Sequence, residues 1–395
     1  MVRVPLPRSR RDPAADSGLK QLRIGDVLQS VVRHVEDADP SRPARRLFAV
    51  TLALLGFGLV LQASHAATTL GPGQFRVDLL WEVAFRSVAL GVLLVAAMVG
   101  PARLRPLLPL VICGAIALLV CVWVPGLEAP YNGAHRWVHL GFSLQPSELA
   151  RVALILWIAD RTAKMGDKGR TYGRPVFKTL ALVTLFAGLI GRQPDLGGAL
   201  VLLICAFATM WEGGVDIKRA GAPFLLLVAT VFGFVAAVRP YVRSRLGMWF
   251  GDVQNDQVAA SIEALSNAGP VGTGLGLGVL RNQGFHYNDS DFVFALVAEE
   301  FGWFGMALVL LLLLAFLAFA LQLVASIRDR FCATAAFGLC ISVLFQALVH
   351  VQVVAGVAPP KGMTLPFLSD GGTSLIVSSL AVGLAIGAGR RHRTE

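Results

Sequence analysis

Between Phe285 and Gly302 the chain reads FHYNDSDFVFALVAEEFG, which sets Asp289, Ser290 and Asp291 against the start of an apolar run and puts Glu299 and Glu300 inside it. A carboxylate at lipid depth is costly and has to face protein, water or a cation, so these residues are either structural partners or groups that do chemistry. Ser290 or Asp291 can cap the helix that follows, since a short polar side chain accepts from the free amides of the first turn and a negative charge suits the positive end of the dipole. Glu299 argues for more: at about 1.5 Å rise per residue it lies roughly 12 Å along the helix from Asp291. At that depth Glu299 and Glu300 either pair with Arg86 or Arg136 or take part directly in catalysis. The remaining polar groups in apolar runs have simpler readings. His350 and Gln346, one turn apart, suit an interhelical hydrogen bond, while Glu148 with Arg151 and Glu82 with Arg86 are spaced as local ion pairs.

The elements that must position these groups are membrane helices. With 395 residues, 55% of them hydrophobic and only 15% charged, and a mean hydropathy of +0.66, the chain is too apolar for a soluble globule. Its net charge of +10 sits in short clusters between apolar runs instead of forming one face, which speaks against nucleic acid as a partner. Cys113, Cys121, Cys205, Cys332 and Cys340 all fall within apolar runs, without metal-ligand or paired spacing, and read as small core residues.

Residues 1–44 are polar and basic and read as a disordered cytoplasmic tail, with the first apolar run as an uncleaved anchor. Windows of bilayer-spanning length predict an all-α polytopic membrane domain over 45–389, with about ten helices. They fall near 47–69, 79–99, 107–125, 148–160, 177–191, 197–212, 221–238, 292–326, 332–356 and 373–389, and 390–395 forms a cytoplasmic C-terminal tail. Basic clusters at Arg42 to Arg46, Arg103 and Arg105, Arg161 to Arg174, Lys218 and Arg219, Arg328 and Arg330, and Arg390 to Arg393 occupy alternate loops, which puts both termini in the cytoplasm.

The loops rich in Gly, Pro, Arg, Asp and Gln then share the outer face, including the large loop 239–290 between helices seven and eight. In that loop DQVAASIEALSN reads as an amphipathic helix, and the glycines 272, 274, 276 and 278 as flexible backbone lying close to a ligand. No phosphate loop or nucleotide fingerprint occurs, so no nucleotide and no organic cofactor is expected.

Four stretches, NGAHRWVHLGFSLQPSELARVALILWIA, RQPDLGGALVLL, SDFVFALVAEEFGWFG and PPKGMTLPFLSDGGTSL, resemble in order the signatures of the SEDS family, whose members are FtsW, RodA and a sporulation protein of the same type. PPKGMTLPF and IEALSNAGPVGTGLG are closer to the FtsW branch. The resemblance implies a peptidoglycan glycosyltransferase that polymerises lipid II on the outer face of the bacterial cytoplasmic (inner) membrane. It also implies a class B penicillin-binding protein and other divisome proteins as partners.

The family's essential aspartate maps onto Asp291 as general base for the acceptor hydroxyl. A departing diphosphate needs cations, for which Arg136, Arg192, Arg243, Arg245 and Lys361 are candidates. Gln193, Asp195 and Ser369, in the same motifs, are further substrate-binding candidates, and Glu299, Glu300, Glu148 and Gln145 are candidate supports. A divalent cation, Mg or Mn, could bridge Asp291 and the diphosphate. Here the chain departs from the family pattern: Phe285 to Ser290 replace Leu-Pro-acidic-x-His-Thr, Asp370 stands for a tyrosine, and His350 for an asparagine. Asp289 either crowds Asp291 with like charge or supplies a second metal ligand. A lipid II flippase and a non-catalytic divisome scaffold are the rival functions.

Overall fold

The computed structural model describes residues 40–69, 72–124, 128–131, 134–139, 143–166, 174–216, 256–278 and 290–390, with Phe224 and Gly247 as single positions. The expected helix 221–238, Arg243, Arg245, Asp289 and most of both tails lie outside the described residues.

Wherever the apolar runs are described they form helices. These are α1 (Ser41–Thr69), α2 (Pro72–Leu104), α3 (Leu108–Cys121), α4 (Pro146–Met165), α5 (Arg174–Arg192) and α6 (Leu196–Glu212). They continue with α7 (Asp256–Asn267), α8 (Val293–Ser326), α9 (Arg330–Val354) and α10 (Gly372–Ala388). Among the described residues, four helical segments are long and apolar enough to cross a bilayer: Ser41–Ala67, Gln74–Cys121, Val293–Ser326 and Arg330–Val354. Leu196–Glu212 and Gly372–Ala388 are apolar but shorter. One buried core joins α1, α2, α4, α8, α9 and α10, and a second joins α3, α4, α5 and α6. The amphipathic helix expected in the large loop is α7.

The all-α expectation needs one correction. Between α3 and α4 the chain forms a small antiparallel sheet of β1 (Glu128–Tyr131), β2 (Ala134–His139) and β3 (Ser143–Leu144), in that order. Val138 pairs with Glu128 on one side and Leu144 on the other, and its buried side chain anchors the sheet. Pro130 is accommodated because the register shifts between Ala129 and Pro130.

The glycine chain also does something other than expected. Helix α8 breaks at Gly302, whose φ of 64° and ψ of −153° are open to glycine but strained for other residues. A break strands backbone groups, which at membrane depth must be met by protein. Thr273 and Gly274 donate their amides to the carbonyls of Glu299 and Glu300 at 2.8 and 3.1 Å, while Trp303 and Phe304 donate to Gly269 and Pro270 at 2.9 and 3.2 Å. A Cβ on Gly272 would lie 2.6 Å from the Glu300 carbonyl oxygen, so only glycine lets the loop seat in the break. This stretch is a structural plug for α8.

The two deep glutamates belong to the same arrangement. Glu300 accepts from the Ser64 hydroxyl of α1 at 3.0 Å and from the Gly276 amide at 3.3 Å, and Gly278 lies against the Glu299 carboxylate. Arg86 pairs instead with Glu82, one turn away on α2.

Candidate active site

The site is assembled where the starts of α4, α6, α8 and α10 meet the segment after α9. At α6, Asp195 is the N-cap and accepts from the Gly198 amide at 2.9 Å, leaving its carboxylate able to hold other groups. Lys361 Nζ lies 3.3 Å from Asp195 Oδ1, and Gln145 donates to Oδ2 at 3.4 Å. The lysine reaches there across Gly197, where a Cβ would stand 2.2 Å from Lys361 Cδ. Burial opposes the Asp195 charge, but Lys361 and Arg136, with the Gly198 amide, hold its carboxyl below the usual carboxylate range. Burial likewise pushes the Lys361 ammonium below the ordinary lysine value, against the pull of Asp195.

Asp291 sits opposite. The N-cap position of α8 falls at Phe292, just after Asp291, and its side chain makes no capping bond. The backbone beside Asp291 is pinned by Ser369, which donates to the Ser290 carbonyl at 2.6 Å and accepts from the Leu365 amide at 2.8 Å. The carboxylate lies against Gly362, where a Cβ would be 2.4 Å from Asp291 Oδ2.

Beneath them runs a buried polar chain. Arg151 donates to Gln346 Oε1 at 2.6 Å, Gln346 Nε2 donates to the hydroxyls of Thr364 and Ser374 at 3.1 Å, and those two hydroxyls bond each other at 2.7 Å. Glu148 bonds Ser374, so the expected ion pair of Glu148 with Arg151 is replaced by bonds to α9 and α10, although the two charges still attract. His350 Nδ1 bonds the Met363 carbonyl at 2.6 Å and Nε2 accepts from the Phe294 amide at 3.4 Å, which fits the Nδ1-protonated tautomer. As expected, Gln346 and His350 make interhelical bonds, though each to the segment after α9 and not to one another.

These groups enclose a cavity of about 90 Å³. Of the residues singled out by sequence, Arg136, Gln145, Glu148, Asp195, Asp291 and Lys361 line it. The lining sets Arg136, Arg151 and Lys361 against Glu148, Asp195 and Asp291. Arg136 Nε and Arg151 Nε are buried with no hydrogen-bond partner among the described residues, so cationic donor capacity is left for an anion.

Other candidates do not join it. Arg192 is exposed, with its guanidinium 5.8 Å from the Trp123 ring, and Gln193 is buried as a tie to the Leu119 carbonyl of α3 at 2.8 Å. Ser369, Glu299 and Glu300 hold backbone and helices in place and do not line the cavity. The sequence reading did not assign Arg151, Gln346, Thr364, Thr373 and Ser374 to the site, although they line it. Their signal was available, since buried polar residues on three separate apolar helices must find one another. Among the described residues no three His, Cys, Asp or Glu side chains gather as a metal cage.

Comparison with known proteins supplies the remaining context. A family model described as "Cell cycle protein", FtsW/RodA/SpoVE, matches residues 44–394. A protein of Tolumonas auensis named probable peptidoglycan glycosyltransferase FtsW is 35% identical over 365 residues, covering 88% of this chain and 93% of its own. One of Pseudomonas fluorescens with the same name is 31% identical, covering 88% of each. Among solved structures, one reported as "Structural coordination of polymerization and crosslinking by a peptidoglycan synthase complex" superposes with a TM-score of 0.70 at 27% identity, over 88% of this chain and 98% of that one. The rod shape determining protein RodA of Thermus thermophilus follows with a TM-score of 0.62 at 25% identity, over 88% and 97%. A family model spanning nearly the whole helical bundle, and solved relatives that share its fold, make this chain a membrane protein of the FtsW/RodA/SpoVE family.

Proposed function

We propose that the chain is a peptidoglycan glycosyltransferase that polymerises lipid II at the outer face of the bacterial inner membrane during cell division. The observation that carries this reading is one juxtaposition: Asp291 faces the same cavity as Lys361, Asp195 and Arg136. Those are the two halves of a glycosyl transfer from a lipid diphosphate. The acceptor's sugar 4-hydroxyl attacks the anomeric carbon, and Asp291 takes the hydroxyl proton as the new C–O bond forms. The bond from that carbon to the undecaprenyl diphosphate breaks, and the electron pair leaves with the diphosphate. Lys361, Arg136 and Arg151 meet the departing charge, and attack from the opposite face turns an α-diphosphate into a β-1,4 link.

The described residues do not by themselves form a metal site. A divalent cation, Mg or Mn, would have Asp291 and substrate oxygens as ligands, and no step above depends on it. The FtsW names among relatives support a divisome setting, and the solved synthase complex supports a class B penicillin-binding protein as partner.

The test is polymerisation of fluorescent lipid II by the purified chain in proteoliposomes. Polymer from the wild type and none from Asp291→Asn, with the variant still folded and bound to its transpeptidase, is the expected result. Polymer at wild-type rate from that variant removes the general-base role. Absence of polymer from the wild type, together with dithionite-sensitive movement of labelled lipid, makes the chain a flippase.

A further inference from the structure

At the end of the bundle away from Asp291 a second cavity, of about 720 Å³, opens between α1, α2 and α10. Helix α10 runs from the active-site segment to this cavity over 17 residues, about 25 Å at helical rise. The volume is in the range of pockets that hold ligands, about 300–1,000 Å³. Its walls are Phe48 of α1, Leu93, Leu94 and Ala97 of α2, and Ile386 of α10. Its rim carries Arg45 and Arg390, both exposed.

Two other arginines of this end are turned elsewhere: Arg46 lies over the Phe319 ring at 5.7 Å, and Arg103 donates to the Met98 carbonyl at 2.6 Å. Arg45 spends one donor on the Ser41 carbonyl at 3.3 Å, and no carboxylate among the described residues pairs with Arg45 or Arg390. Apolar walls topped by two cations match one kind of occupant, a lipid with an acyl chain below and a negative phosphate above. Basic pockets between membrane helices bind anionic head groups in this way.

We propose that this groove is a binding site for an anionic phospholipid of the leaflet opposite the active site, with its phosphate between Arg45 and Arg390 and an acyl chain along Leu93, Leu94 and Phe48. The site stands apart from the glycosyltransferase reading, since none of its residues lines the catalytic cavity.

Native mass spectrometry of the full chain, delipidated in detergent and titrated with dioleoylphosphatidylglycerol or dioleoylphosphatidylcholine, tests it. One tightly held phosphatidylglycerol per chain is expected, with phosphatidylcholine washed off. Arg45→Gln with Arg390→Gln should weaken retention about 30-fold, two surface cations' worth. Leu94→Trp, which fills the groove and leaves its charges, should lower retention comparably, and it decides the matter if the double variant does not fold. Equal retention of the two lipids, or undiminished retention in the folded variants, overturns the assignment. So does displacement by inorganic phosphate alone, which would make the rim a site for a free anion.

Discussion

Asp291, the proposed general base, owes its position to neighbours with no part in the proposed chemistry. Ser369 holds the carbonyl before it, and Gly362 leaves room for its carboxylate. Gly362→Ala is therefore expected to cut polymerisation by about a hundredfold, since displacing a catalytic group by an ångström can cost that much. The melting temperature should change little, because the clash is with a mobile side-chain end; gel assays beside thermal unfolding separate the two effects. Asp291→Asn should lose about 10²–10⁴-fold, the usual contribution of a general base.

In the proposed reaction Lys361 confers sensitivity to alkali. With its ammonium pushed below the ordinary lysine value by burial, the cation is lost as pH rises through that lowered value, and activity should fall at a pH where a free lysine is still charged. In Lys361→Arg the alkaline limb of kcat/KM should move upward, because a guanidinium does not titrate there. Asp195 has the opposite edge. Its lowered folded value means that its stabilising contribution is complete above the ordinary carboxylate range and is lost as pH falls through the folded value. Acid unfolding of Asp195→Asn should accordingly be shallower than that of the wild type.

Among the elements, α8 carries the most consequence, because its broken turn is completed by another part of the chain. In Gly302→Ala the positive φ alone costs about 1–3 kcal/mol, and the new Cβ would stand 2.4 Å from the Gly272 amide nitrogen. Denaturation in detergent should show a loss of at least that size, and polymerisation should fall with it as the upper turns of α8 shift. The helices were legible in sequence because bilayer length and apolarity mark them directly: α5, α6, α8, α9 and α10 fall within a few residues of their expected ends, whereas α2 runs well beyond 79–99 at both ends, from Pro72 to Leu104. The three-stranded sheet was not legible, since strands of two to six residues lie outside the apolar runs that set the pattern. The glycines were read as ligand contacts because sequence marks close approach without naming what approaches; here it is the backbone of α8.

At the scale of the molecule, motif residues divided by whether their side chain or their backbone service mattered. Arg136, Asp195, Asp291 and Lys361 line one cavity, whereas Arg192, Gln193 and Ser369, which belong to the same motifs, are braces or face outward. Type and position alone cannot tell a ligand donor from a brace, because both are polar groups at the same helix ends. For the assembled enzyme, the cognate transpeptidase is expected to raise polymer yield. Treatment with EDTA tests the cation: a lost rate adds a divalent ion, which Asp291 would hold with the substrate, and an unaffected rate leaves Lys361 and the arginines as the electrostatic machinery.

The bond between Lys361 and Asp195 also bears on how the protein is made. Helix α6 leaves the ribosome and enters the bilayer while the segment holding Lys361 has yet to be translated. Burying a charge without its partner costs about 3–5 kcal/mol, so Asp195 should stay in contact with water until the last two helices insert. The C-terminal quarter of the chain then works as a clasp, and a truncated product ending before it would present an open, acidic cleft that proteolytic surveillance can recognise.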